Sequence, residues 1–161
     1  MWPDRGFFVL QFATGSVVDI GGASLYPWTL TLLNRRPDLV VDLYEERIDL
    51  GWFRGRTRDG APLVLGDCHS LPLRDNSFDT AVLSDVLEHV PDPRRCLEEA
   101  YRVARKRVVA TVPRGWHRSP FPQYTYFYEK EVAELIKGFH SFATYFETPY
   151  WKGFGIVIYK K

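Results

Sequence analysis

The sequence is poor in the residue types that build covalent or metal frameworks. It has two cysteines, Cys68 and Cys96, and neither a CxxC pair nor an HExxH string. That excludes a disulfide framework, a four-thiolate zinc site and a zincin-type centre. The two thiols read as buried small hydrophobes in a reducing, cytoplasmic setting. Long apolar runs are missing too. The stretch 7–13 is too short to span a bilayer and lacks a basic flank and a small-residue cleavage site, so a soluble, unprocessed chain without a membrane partner is expected. Asn and Gln occur twice each and Met once, against 11 prolines, a bias shared with thermostable proteins. A net charge of +1 removes the whole-molecule signature of a nucleic-acid binder. What is present is globular: 161 residues, 45% of them hydrophobic, suit a single domain over 1–161 with one core.

The balanced charge is unevenly placed. Residues 94–118 carry 8 Lys and Arg against 2 acidic residues, whereas residues 1–93 carry 8 against 14. The basic segment reads either as a solvated helix face or as an electrostatic footprint for an anionic substrate or partner.

Hydrophobic patterning gives the order of elements. Short β-branched or aliphatic runs at Ser16–Ile20, Leu39–Val41, Leu63–Leu65, Thr80–Ser84 and Val108–Val112 have the composition of buried parallel strands. Between them, Tyr26–Asn34 reads as a short helix and 45–60 as a frayed helix and loop. Pro93–Ala104 repeats apolar residues at Cys96, Leu97, Ala100, Tyr101 and Ala104, a helical spacing. Glu129–Gly138 is a second amphipathic helix, and Ser141–Glu147 with Gly155–Tyr159 form an antiparallel hairpin. Strands alternating with helices predict a doubly wound, Rossmann-like α/β domain with a mostly parallel sheet and an antiparallel C-terminal edge.

In such sheets ligands bind beyond the carboxyl ends of the strands. Asp19 is followed there by the glycine turn Gly21-Gly22. Asp42 lies 21 residues after Gly21, where an acid can accept from ribose hydroxyls. Asp67 follows the third strand, and Ser84 and Asp85 the fourth. Carboxylates at several strand ends beside a glycine turn suit a ligand rich in hydrogen-bond donors.

The string from Gly66 to Val90, with its GD, LP, SFD and LEHV signatures, together with Val17–Ile20 and Asp42, resembles the class I S-adenosylmethionine-dependent methyltransferases of the type 11 group. The resemblance covers roughly Ser16–Tyr159. It implies S-adenosylmethionine as cofactor, with Asp19, Gly21 and Gly22 toward its methionine end. Asp42 would face the ribose, Asp67 and Cys68 the adenine, and Ser84 and Asp85 the sulfonium side. The sequence departs from the family at Ala23 and Leu25, where the first loop has glycines. Only 15 residues precede the first strand, so the acceptor is expected to be a macromolecule, RNA or protein, that covers the site itself, or the site is completed in a homo-oligomer or by a partner subunit.

Methyl transfer needs a base only where the acceptor must lose a proton. His89 and His117 are the candidates, the alternatives being a local structural role and a solvated loop position. Arg114, Trp116, Arg118 and Tyr124, in the Pro- and Tyr-rich loop after the fifth strand, are candidate acceptor-binding residues, or they seal the pocket rim. Two rival functions stay open. One is a non-catalytic member of the fold that binds a partner through residues 94–118. The other is a nicotinamide-dependent dehydrogenase half, opposed by the missing GxGxxG and the LEHV string.

Overall fold

The central apolar runs form strands sheltered on both faces, their odd and even residues dividing between two cores, whereas Val64 and Leu65 of the third run stay exposed. The computed structural model describes residues 5–22, 36–43, 60–119, 121–149 and 151–161. The expected helix at 26–34, most of the 45–60 stretch, and Ala23 and Leu25 lie outside them. Helix α1 (Arg5–Phe12) precedes β1 (Val17–Ile20), β2 (Leu39–Asp42), β3 (Leu63–Leu65) and β4 (Phe78–Ser84). A 3₁₀ turn at Leu87–His89 leads to α2 (Pro93–Val103), β5 (Ala104–Pro113), α3 (Glu129–Ile136), β6 (Ser141–Glu147) and β7 (Lys152–Tyr159).

Seven strands make one sheet in the order β3-β2-β1-β4-β5-β7-β6. Strands β1 to β5 pair in parallel, and β7 runs antiparallel between β5 and β6. This is the predicted doubly wound architecture. The strand order reverses between β1 and β4, which makes their carboxyl ends the switch point where such sheets bind ligands.

Val18, Ile20, Ala81, Leu83, Val108, Ala110, Ile156 and Ile158 face α2 and α3 in the larger core. Their alternates Val17, Val82, Val109 and Val157 face α1, where Phe8, Val9 and Ala13 cover them. Helix α1 was not expected, because its apolar residues surround the axis and leave no 3.6-residue stripe to read. Helix α2 starts as its sequence dictates: Pro93 occupies the first turn and Asp92 caps it, accepting from Arg95 N at 2.9 Å. Strand β5 begins at Ala104 instead of Val108, because β4 supplies a pairing partner that extends it. No helix among the described residues is long and apolar enough to cross a membrane.

One expectation is corrected. Cys68 and Cys96 are not separate thiols but a disulfide, with Cα atoms 4.9 Å apart. The turn after β3 lies against the second turn of α2, and a sequence separation of 28 residues hides that contact.

Candidate active site

The glycine turn after β1 is shaped by backbone requirements. Gly21 has φ +80°, a conformation that side chains disfavour, and its N–H donates to Val41 O at 2.7 Å, joining the ends of β1 and β2. A Cβ at Gly22 would stand 2.3 Å from Asp19 Oδ2. The buried Asp19 carboxylate therefore lies against the turn's own backbone. Asp42 closes β2, and its carbonyl accepts from Gly66 N at 3.0 Å, which aligns the ends of β2 and β3. Beyond β3, Asp67 Oδ1 accepts from His69 N at 2.9 Å and lies 2.6 Å from His69 Nδ1. The backbone N–H of His69 is the main cause holding the Asp67 carboxyl below its usual range. Cys68 is in this same turn, tied to α2 by its disulfide. The turn expected near an adenine is thus stapled to the helix packed behind the sheet.

At the end of β4, Asp85 adopts φ 51°, which an Asp tolerates better than most residues. Its N–H donates to Thr111 O at 3.0 Å. Thr111 Oγ1 donates to Asp85 Oδ1 at 2.8 Å and lies 3.1 Å from Ser84 Oγ. Trp151 Nε1 donates to Asp85 Oδ2 at 3.1 Å, and the Arg5 guanidinium ion-pairs with the same oxygen. Asp85 is therefore the hub that draws α1, β5 and the approach to β7 to the mouth of the site. Arg5, Thr111 and Trp151 escaped the sequence reading. They are 80, 26 and 66 residues away from Asp85, and no local pattern marks such distant partners.

The loop after β5 folds back over the 3₁₀ turn. Gly115 N donates to Phe127 O at 2.8 Å, which closes the neck of the loop, and Tyr124 N donates to Glu88 O at 2.8 Å, which seats it. Pro122 O accepts from His89 Nδ1 at 2.6 Å. His117 Nδ1 is 2.8 Å from Gln123 Nε2. These bonds bring His89 and His117 together with ring centroids 5.8 Å apart. Between them is a residue missed by the sequence reading, Glu88. It is fully buried, with Oε1 3.5 Å from His89 Nε2 and 4.0 Å from His117 Nε2. Burial, reinforced by the nearby Asp85 charge, pushes the Glu88 carboxyl well above its usual range. Desolvation lowers the His117 imidazole, despite the opposing field of Asp85. The available signal for Glu88 was its place beside Leu87, an acid in an apolar string.

The remaining acceptor-side candidates sit on the outer wall. Trp116 and Tyr124 are 70% and 60% exposed, and Arg118 is exposed. Arg114 is held by Glu129, at 3.1 and 3.4 Å, and lies over the Tyr128 ring. Much of the basic segment is likewise paired. Arg94 meets Glu98, Arg102 meets Glu99 and Asp75, and Arg105 and Lys106 meet Asp79. Glu98 and Glu99 belong to the segment itself, and Asp75, Asp79 and Glu129 from elsewhere in the fold offset about half of its remaining positive charge, which reduces the footprint that it projects.

Residues 27–111 match the family described as "Methyltransferase domain". The chain is 31% identical over 104 residues to rice 2-methyl-6-phytyl-1,4-hydroquinone methyltransferase 2, chloroplastic, covering 58% of this chain and 27% of that protein. It is 37% identical over 70 residues to demethylmenaquinone methyltransferase of Paenarthrobacter aurescens, covering 42% and 28%. The chain thus spans less than a third of the length of these curated relatives. Among solved structures, a SAM-dependent methyltransferase from Thermotoga maritima superposes with TM-score 0.73 at 20% identity, covering 98% of this chain and 88% of that one. With the family match extending over more than half its length and its fold superposing on that structure, the chain belongs to the methyltransferase domain family.

Proposed function

We propose that the protein transfers a methyl group from S-adenosylmethionine to a small aromatic acceptor of the hydroquinone class. The observation that carries this reading is the juxtaposition at one sheet edge of the acidic strand ends with the aromatic, histidine-bearing loop. Asp19, the Gly21-Gly22 turn and Asp42 end β1 and β2. The turn at Gly22 leaves backbone where a side chain would collide with Asp19, and this cradle fits a cofactor with an amine and ribose hydroxyls to satisfy. Asp67 and the disulfide-bonded Cys68 would border the adenine. Ser84 faces the methyl-bearing side, with Asp85 fixing Arg5 and Trp151 around it. When bound, S-adenosylmethionine supplies a methyl already activated on a sulfonium, so the chain's task is alignment more than bond polarisation.

On the acceptor side, His117 or His89 takes the proton of an attacking hydroxyl. Desolvation favours the neutral, proton-accepting form of His117. Trp116 and Tyr124 offer faces on which an aromatic ring can stack. Two of the relatives are named for small quinone acceptors, and the ion pairs that hold Arg94, Arg102, Arg105, Lys106 and Arg114 reduce the basic footprint that an RNA acceptor would need. A methyl-transfer assay with labelled donor, comparing a reduced quinone with RNA and protein fractions, tests the proposal. Label is expected in the quinone. His117→Ala should then reduce kcat by about 10²–10⁴-fold for a hydroxyl acceptor. Label only in RNA or protein would sink the acceptor class, and no transfer to any acceptor would favour a binding module.

A further inference from the structure

We infer that Glu88, His89 and His117 form a binding site for a single divalent cation of the zinc class. One donor atom from each of the three lies within 4.8 Å of the others. Both oxygens of Glu88 are buried and have no hydrogen-bond partner among the described residues, an arrangement that folding disfavours unless the charge is neutralised. The facing group does not supply a donor. His89 Nδ1 is 2.6 Å from the Pro122 carbonyl, which can only accept, so in the neutral ring the proton is on Nδ1 and the lone pair on Nε2. That lone pair points to Glu88 Oε1 at 3.5 Å. Two acceptors facing each other across this distance call for a proton on Glu88 or a metal cation between them, and a single proton would still leave the second buried Glu88 oxygen without a partner.

The third ligand completes a familiar donor set. His117 Nε2 is 4.0 Å from the same oxygen. A tetrahedral zinc with bonds of about 2.0–2.1 Å separates its ligand atoms by about 3.3–3.5 Å, so Glu88 and His89 already stand at ligand spacing, and His117, on the loop after β5 and within 4.8 Å of both, must move inward by more than half an ångström to close the cage. Two imidazoles and one carboxylate are the ligands of open, catalytic-type zinc sites. Outer contacts orient both rings, as such sites require. Pro122 O fixes His89. The Gln123 amide holds the His117 loop at two points, its Oε1 accepting from His117 N at 3.3 Å and its Nε2 standing 2.8 Å from Nδ1; a cation on Nε2 requires the amide to turn over and accept from Nδ1–H, exchanging the longer bond for that one. The other converging group, Cys68, His69 and Cys96, is ruled out because its sulfurs are bonded to each other. Empty and loaded forms differ in chemistry: without the cation the imidazoles take a proton, and with it they become ligands around an electrophile.

The inference stands on these three side chains and not on the methyl-transfer reading, so the test uses neither donor nor acceptor. Untagged, metal-stripped full chain, without reductant so that the disulfide persists, is titrated with Zn²⁺ by calorimetry and with Co²⁺ by visible absorption. One equivalent should bind with micromolar or tighter affinity, and Co²⁺ should show the intense d–d bands of a four-coordinate site. His117→Gln and Glu88→Gln should each weaken binding by about ten-fold or more with unchanged circular dichroism. Absence of saturable binding below about 1 mM, or equal affinity in wild type and variants, would overturn the site and leave a proton on Glu88 as the neutralising cation. If Glu88→Gln fails to fold, the loop variant His117→Gln decides alone.

Discussion

Asp42 and Asp79 are both carboxylates near a strand end, yet they serve different purposes. Asp42 closes β2 at the switch-point side of the sheet. Asp42→Ala should weaken S-adenosylhomocysteine binding by about 1.5–3 kcal/mol, the scale of a lost charge-assisted acceptor. Calorimetric titration checks this, and an unchanged Kd would remove Asp42 from the ribose. Asp79 is at the opposite end of β4, where it accepts from Ser16 N at 3.1 Å and ion-pairs with Arg105 and Lys106. The Ser16 backbone bond is the main cause that lowers its carboxyl from 3.8 to about 2. Because the folded value is depressed, the stabilisation is fully present above the unfolded value and lost as pH falls through the folded one. Asp79→Asn should therefore lower Tm at neutral pH, and the gap from wild type should close between about pH 4 and pH 2. A constant gap across that range would mean that the charge is irrelevant. Neither role is written in the residue itself, since both acids follow or enter hydrophobic runs.

At the scale of elements, α2 does more than cover the sheet. Glu99 on its inner face accepts from Leu71 N at 2.8 Å and from Arg102 Nη2 at 2.8 Å. Arg102 in turn donates to Leu71 O and Leu73 O. The helix thereby clamps the irregular stretch 71–75 between β3 and β4. Glu99→Ala should cost about 1–3 kcal/mol, because the Leu71 N–H loses its acceptor in a buried place and Arg102 loses one of its two carboxylate partners. Urea unfolding measures it, and Glu99→Gln should recover part of the loss. The amphipathic period of α2 was legible because apolar residues recur on one stripe. Its clamp was not, because helical periodicity says which residues turn inward and nothing about which backbone they meet. Helix α1 was missed for the complementary reason. Its position is set by Phe8 filling the space above Gly155, where an added Cβ would stand 2.5 Å from the ring, a fit between residues far apart in the chain.

For the whole molecule, ligand binding should report on the fold as one cooperative unit. S-adenosylhomocysteine at about 100 times its Kd should add roughly 2.7 kcal/mol, raising Tm by about 5–10 °C for a chain of this size, with no shift from NAD. A shift with NAD alone would restore the dehydrogenase alternative. Sequence alone determined the order of the seven strands with α2 and α3, the parallel sheet with its antiparallel edge, and the strand-end positions of Asp19, Asp42, Asp67 and Asp85. These follow from local periodicity and from the few right-handed connections that such an order allows. Tertiary structure alone decided the Cys68–Cys96 bond, the grip of Arg5, Thr111 and Trp151 on Asp85, the internal pairing of the basic segment, and the meeting of Glu88 with His89 and His117. Each of these joins residues brought together by the crossing of separate elements. That proximity depends on how whole faces pack, and no spacing along the chain encodes it.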